Sequence, residues 1–104
     1  MKKLQISVPK AKIEEFCKRW KIVEFSFFGS VLRESFHSKS DIDILVKFSP
    51  DSSWGLLDHA KMEEELSQIF NRPVDLVNKK AVLNSPNWIR KQNILESAEV
   101  YYAA

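Results

Sequence analysis

Apolar residues recur along this chain at two periods, 3.6 and 2, and the switches between them outline its elements. In VPKAKIEEFCKRW, Ile13, Phe16, Cys17 and Trp20 fall at helical spacing, with Pro9 near the start, where a missing N–H costs nothing. In VEFSFFG, Val23, Phe25 and Phe27 alternate with Glu24 and Ser26, which predicts a strand ended by Gly29. SVLRES reads as a short helical turn and SFHSKS as a polar loop. DIDILVKF is a second strand, and SPDSSWG is a loop by its Ser, Pro and Gly content. LLDHAKMEEELSQIF is the clearest helix: Met62, Leu66, Ile69 and Phe70 form its apolar stripe, with Glu63, Glu64 and Gln68 off it. The NRP triplet stops that helix, and VDLV predicts a short third strand. The tail SPNWIRKQNILESAEVYYAA reads as a closing helix, with Ser85 as N-cap and Pro86 next; Ile89, Ile94 and Leu95 supply its apolar face.

The predicted order is helix, strand, strand, helix, strand, helix. That is an α/β (α+β) layer, with helices packed on a small mixed sheet. The 104 residues are read as one domain, 1–104, with one modest core. Hydrophobic content of 44% and charged content of 29% are those of a globular chain. The net charge of +2, with no long basic run, gives no reason to expect direct nucleic-acid binding. No stretch approaches the roughly 20 apolar residues of a membrane span, and MKKLQISVPK lacks a signal-peptide core, so the expected location is cytoplasmic. Cys17 is the only cysteine; it cannot form an internal disulfide and is read as a small core residue.

The second strand raises a chemical question. Strands use Asp sparingly, yet this one opens with Asp41 and Asp43. Alternation points both carboxylates to one face and Ile42, Ile44 and Val46 to the other. Like charges so close need a cation, and Mg²⁺, held by one or two carboxylates plus substrate phosphates, suits hard oxygen ligands. A lone D-x-D reads as readily as a solvated strand entry. Asp75, in the apolar run RPVDLV, is a third acid in an expensive place. If its strand lies beside the second, it reaches the same face and can act as general base; alone it is equally an exposed edge residue. Gly29-Ser30 lies at a strand-to-helix junction, where a glycine lets backbone approach a ligand and helix N–H groups suit phosphate. By itself such a pair is most often a turn and a cap.

Together these residues resemble a known family. The order GS, VLRESFHSKS, D-x-D, then a strand bearing one Asp is similar to the nucleotidyltransferase superfamily typified by DNA polymerase beta. The particular resemblance is to the minimal nucleotidyltransferases, the MNT antitoxins that accompany HEPN toxins. It extends over nearly the whole chain, including LLDHAKMEEELSQIFNRPVDLV and the tail with Ile89-Arg90 and Tyr101-Tyr102. The resemblance implies a nucleotidyltransferase fold. It implies ATP with its phosphates near Gly29 and Ser30, and two Mg²⁺ ions on Asp41, Asp43 and Asp75. It also implies AMP transfer to a tyrosine of a cognate HEPN ribonuclease. Arg33, three residues after Ser30, and Ser40, at the strand entry, join the expected nucleotide-binding set. One departure is Glu34, where family members often carry glycine; a glutamate near a triphosphate opposes binding.

Two other functions stay open at this level. The same fold could neutralise a toxin by contact alone, a reading that Glu34 favours. It could also transfer a nucleotide to a small molecule or an RNA end, against which the near-neutral charge and the short chain argue. Trp54 could stack on adenine or simply pin its loop, and Lys79 and Lys80 could meet phosphate or water. His37 and His59 receive no role.

Overall fold

A computed structural model describes residues 6–29 and 41–104. Helix α1 (Lys10–Arg19) leads to β1 (Ile22–Phe28), and β2 (Ile42–Phe48) follows. Helix α2 (Leu56–Phe70) then connects to β3 (Val74–Asn78). The chain closes with the short helix α3 (Lys79–Leu83), α4 (Trp88–Ser97) and β4 (Glu99–Ala103). The strands form one sheet in the order β3-β2-β1-β4. β2 and β3 run parallel, and the other pairs are antiparallel. The parallel pair requires a long crossover, which α2 provides.

The predicted boundaries of α2 match the observed ones. At its start Asp58 accepts the N–H of Gly55 at 2.9 Å, placing an acid in the first turn, where the helix dipole favours it. At its end Asn71 takes a left-handed conformation, φ 55°, which asparagine tolerates and which turns the chain toward β3. Met62 and Leu66 are buried and Ile69 and Phe70 pack beside them, as the stripe requires.

Both faces of the sheet are covered. On one, Ile42, Ile44 and Val46 of β2 and Phe25 and Phe27 of β1 pack against Ile13, Phe16 and Cys17 of α1 and Met62 and Leu66 of α2. On the other, Leu45 and Phe28 meet Val82 of α3 and Ile94 of α4. That two-sided burial accounts for the near-continuous apolar runs FSFF and ILV, which a half-solvated strand would not show. Phe27 sits among rings, with Phe25, Phe70 and Tyr101 edge-on at 5.5–6.0 Å. Glu65 of α2 ties the two helices together, accepting from Arg19 at 2.7 Å and from the Trp20 indole at 3.1 Å.

The tail departs from the expected single helix. α4 ends at Ser97, and Glu99–Ala103 forms a fourth strand on the open edge of β1, pairing Tyr102 with Phe25 and Val100 with Ser26. The residues Val100, Tyr101 and Tyr102 favour strands, and the unpaired edge of β1 supplies the hydrogen bonds a continued helix would otherwise make for itself. The cap also moves: Asn87, not Ser85, precedes α4, its side chain accepting from the Arg90 N–H at 3.1 Å. Ser85 instead accepts from the Asn87 N–H, at 3.2 Å. Ile89 is 57% exposed, so the buried face of α4 rests on Ile94 and Leu95. The predicted order lacks α3, which is too short for its periodicity to register.

Candidate active site

The strand order brings the end of β1 and the starts of β2 and β3 to one edge of the sheet. Asp43 occupies the centre of this edge. It is paired with Phe28 across the antiparallel β1–β2 ladder and with Asp75 across the parallel β2–β3 ladder. The two acids therefore face the same side, as do Leu45 and Val77 one pleat further on, where α3 and α4 cover the sheet. Asp43 is half-buried and Asp75 exposed, so their carboxylates lie at the rim, where water and ligands have access. Asp41 stands immediately before β2 and is also exposed.

Gly29 follows β1 and touches this edge directly. Its φ is +73°, a region that side chains disfavour. A Cβ added there would lie 3.2 Å from Cγ of Asp43 and would collide with its carboxylate oxygen. Glycine is thus required twice, for its backbone angle and for the space the Asp43 carboxylate occupies. The close neighbour of the Gly29 backbone is thus the Asp43 carboxylate, a contact the sequence pattern does not announce.

β3 is held in place from its outer side. Among the described residues it is the last strand of the sheet, and part of its backbone has no strand partner there. Glu63 of α2 accepts the N–H of Leu76 at 2.8 Å, one residue past Asp75. His59, one turn earlier on α2, is 3.9 Å from the same carboxylate oxygen. In the sequence Glu63 shows only as part of the polar face of α2. No periodicity reveals a carboxylate that pairs with the backbone of a neighbouring strand.

Ser30, Arg33 and Ser40, with the SVLRES turn, Glu34 and His37, lie outside the described residues. Among the described residues, no group of three or more His, Cys, Asp or Glu side chains is gathered closely enough to hold a metal ion. The donor set nonetheless fits Mg²⁺ in kind: all three acids offer hard oxygens, and this ion characteristically takes one or two protein carboxylates and completes its shell with phosphate and water. Trp54 is a loop anchor: its indole donates to the Trp20 carbonyl at 2.7 Å, and the two rings meet edge-on at 5.0 Å. Lys79 pairs with Glu24 at 2.8 Å, and Lys80 is exposed.

A small mixed sheet with acids on adjacent strands, and a glycine turn pressed against one of them, is compatible with a nucleotidyltransferase. Family comparison agrees, since the model of the nucleotidyltransferase domain matches residues 10–101. The chain belongs to the nucleotidyltransferase domain family.

Among relatives, it is 33% identical over 95 residues to a Methanocaldococcus jannaschii protein provisionally named protein adenylyltransferase MJ0435; the match covers 91% of this chain and 96% of that one. A second protein of that organism with the same provisional name, MJ1379, is 32% identical over 66 residues; the match covers 64% of this chain and 66% of the relative, just under two thirds of its length. A solved structure of a provisionally assigned minimal nucleotidyltransferase is 30% identical, with a TM-score of 0.64, covering 86% of this chain and 89% of that one. The fold is also that of a toxin-antitoxin crystal structure with AMP-PNP, at a TM-score of 0.72 and 20% identity over 93% of this chain and 75% of that one. It likewise matches the complex of a tri-AMPylated Shewanella oneidensis HEPN toxin with its MNT antitoxin, at a TM-score of 0.61 and 21% identity over 91% of this chain and 70% of that one. The fold of the MNT antitoxins solved with HEPN toxins is therefore the fold of this chain.

Proposed function

We propose that residues 1–104 act as one nucleotidyltransferase domain, the antitoxin of a HEPN/MNT pair, which moves AMP from ATP to a tyrosine of its cognate HEPN toxin. The observation that carries this reading is the register of Asp43 with Asp75 beside the left-handed Gly29. It sets two acids side by side where a phosphate can come close to backbone. The names of the relatives and of the structural neighbours support the substrate class and the partner.

Asp41, Asp43 and Asp75 would hold two Mg²⁺ ions, which when bound supply charge neutralisation for the α-phosphate and for the departing pyrophosphate. Gly29 and Ser30 would bind the β- and γ-phosphates, and Arg33 and Ser40 complete the proposed nucleotide-binding set. Asp75 takes the proton of the attacking tyrosine hydroxyl. The tyrosine oxygen bonds to the α-phosphorus, the bond from that phosphorus to its bridging oxygen breaks, and pyrophosphate leaves with the electron pair. Catalysis on such a site rests on positioning and charge rather than on a covalent enzyme intermediate.

The test combines the purified protein, α-labelled ATP, Mg²⁺ and the product of the neighbouring gene. Label on the toxin, a mass rise of one or more AMP units, and inactivity that persists after the antitoxin is removed are the expected results. Added phosphate repels RNA at the toxin surface, which accounts for lasting inactivation. If the Asp41→Ala/Asp43→Ala double variant still protects cells fully, and wild type leaves the toxin's mass unchanged, the protein neutralises by contact and the transferase reading falls.

A further inference from the structure

The far end of the sheet, away from the carboxylate edge, carries a cleft. It opens where β2 and β3 end, about 13 Å from Asp43 to Lys47 at roughly 3.3 Å per residue along β2. Its volume is about 660 Å³, within the range of small-ligand sites. Three features give it a chemical character. First, among the described residues, the formally charged ones that line it are cationic: Lys47, Lys79 and Lys80. The nearby acids are already engaged. Glu24 stands opposite Lys47 in the ladder and pairs with Lys79, Asp51 pairs with Lys21, and Glu63 holds Leu76 and faces His59. Lys47 and Lys80 are exposed and appear in none of these pairs.

Second, Trp54 forms part of the wall, and its ring is fixed by the hydrogen bond to the Trp20 carbonyl and the edge contact with Trp20. Trp54 as a whole residue is 37% exposed. A rigid aromatic ring that needs no reordering is a good stacking partner for a planar ligand. Third, Asn78 also lines the cleft, and its carbonyl oxygen is taken by the Lys80 N–H, so its amide nitrogen remains as a donor. Cationic side chains, an amide donor and a fixed aromatic ring together match an anion that carries a flat ring.

We infer that this cleft is a second binding site, for a nucleoside phosphate, separate from the carboxylate edge and independent of metal. The phosphate meets Lys47 and Lys80, and the base lies against Trp54. An RNA strand is the poorer fit, because the chain's net charge of +2 provides no basic track beyond the cleft.

The experiment is a backbone NMR titration of the whole protein with AMP in EDTA, which leaves the metal-dependent edge out. Shifts at Lys47, Trp54, Asn78 and Lys80, with Gly29, Asp43 and Asp75 unmoved, are expected. A Lys47→Ala/Lys80→Ala variant should bind AMP about tenfold more weakly, the loss of a charge-assisted contact, while its untitrated spectrum stays that of a folded protein. Lys79 is left in place because it holds Glu24. Three results would overturn the site: no shifts in the cleft at millimolar AMP, shifts confined to the Gly29–Asp43 edge, or tighter binding of a short oligoribonucleotide than of AMP. A separate titration of ATP with Mg²⁺, read at Gly29 and Asp43, reports on the transfer site, so either site can fail alone.

Discussion

The Cα of Gly29 lies so close to Asp43 that a methyl group on the one would strike the carboxylate of the other. Backbone and catalytic candidate are thereby coupled across the β1–β2 ladder, and a substitution at either position is felt at the other. Gly29→Ala should destabilise the fold by roughly 1–3 kcal/mol, the scale of a side chain forced into a left-handed backbone. For a domain of this size each kcal/mol lowers the melting temperature by about 4–8 °C. In an Asp43→Ala background the same change should cost less, because the carboxylate it strikes is gone. Thermal melts of the four proteins give this coupling directly; strict additivity would refute the contact.

Asp43→Ala by itself should leave the melting temperature near that of wild type, since it relieves repulsion from Asp75 in the paired position. On the proposed mechanism AMP transfer should fall by several orders of magnitude, because Asp43 would help hold the metal ions that stabilise the transferred charge. Labelled-ATP transfer assays check it.

ATP should raise the melting temperature in the presence of Mg²⁺ and much less in EDTA, as ligands that bind only the native state add stability by mass action. An equal shift in both buffers would argue against a triphosphate bridged to these carboxylates by metal.

Glu63→Ala should cost about 1–3 kcal/mol by leaving the Leu76 N–H without its partner. Glu63→Gln keeps an acceptor and should recover much of that loss. Amide exchange at Leu76, faster in the alanine variant and slower again in the glutamine variant, distinguishes this from general loosening.

Burial, with the charge of Glu14 adding to it, pushes the Cys17 thiol up to about 12. An unfolded cysteine ionises near 8.5. The folded state thus holds its proton more tightly, so the stability this contributes is full below pH 8.5 and is lost as pH rises toward 12. Stability should therefore fall progressively as pH rises through that window. Denaturant melts of wild type and Cys17→Ala between pH 8 and 10 should diverge in slope accordingly. Thiol reagents at pH 8 should modify Cys17 only after unfolding.

Local pattern alone reached far into this protein. The periods of α1, β1, β2 and α2 are long enough to be read residue by residue, because each buries a face whose spacing is set by its own backbone. The acids Asp41, Asp43 and Asp75 were legible for the opposite reason, as charges in strands that otherwise exclude them. Their alignment was not. Sequence places Asp75 far along the chain from Asp43, and only the parallel β2–β3 pairing sets the two side by side. The same holds for β4: EVYYA has strand-forming residues, but the open edge of β1 decided against continuing α4. Trp54, Lys79 and Lys80 stand out singly in the sequence, but the cleft they line and the hydrogen bond of Glu63 have no local signature, since a bond to another strand's backbone and a cavity between a loop and a short helix exist only once the chain is packed. What a residue's neighbours along the chain dictate is its element and its face; what lies across from it is settled by strand order, which long-range burial and pairing determine.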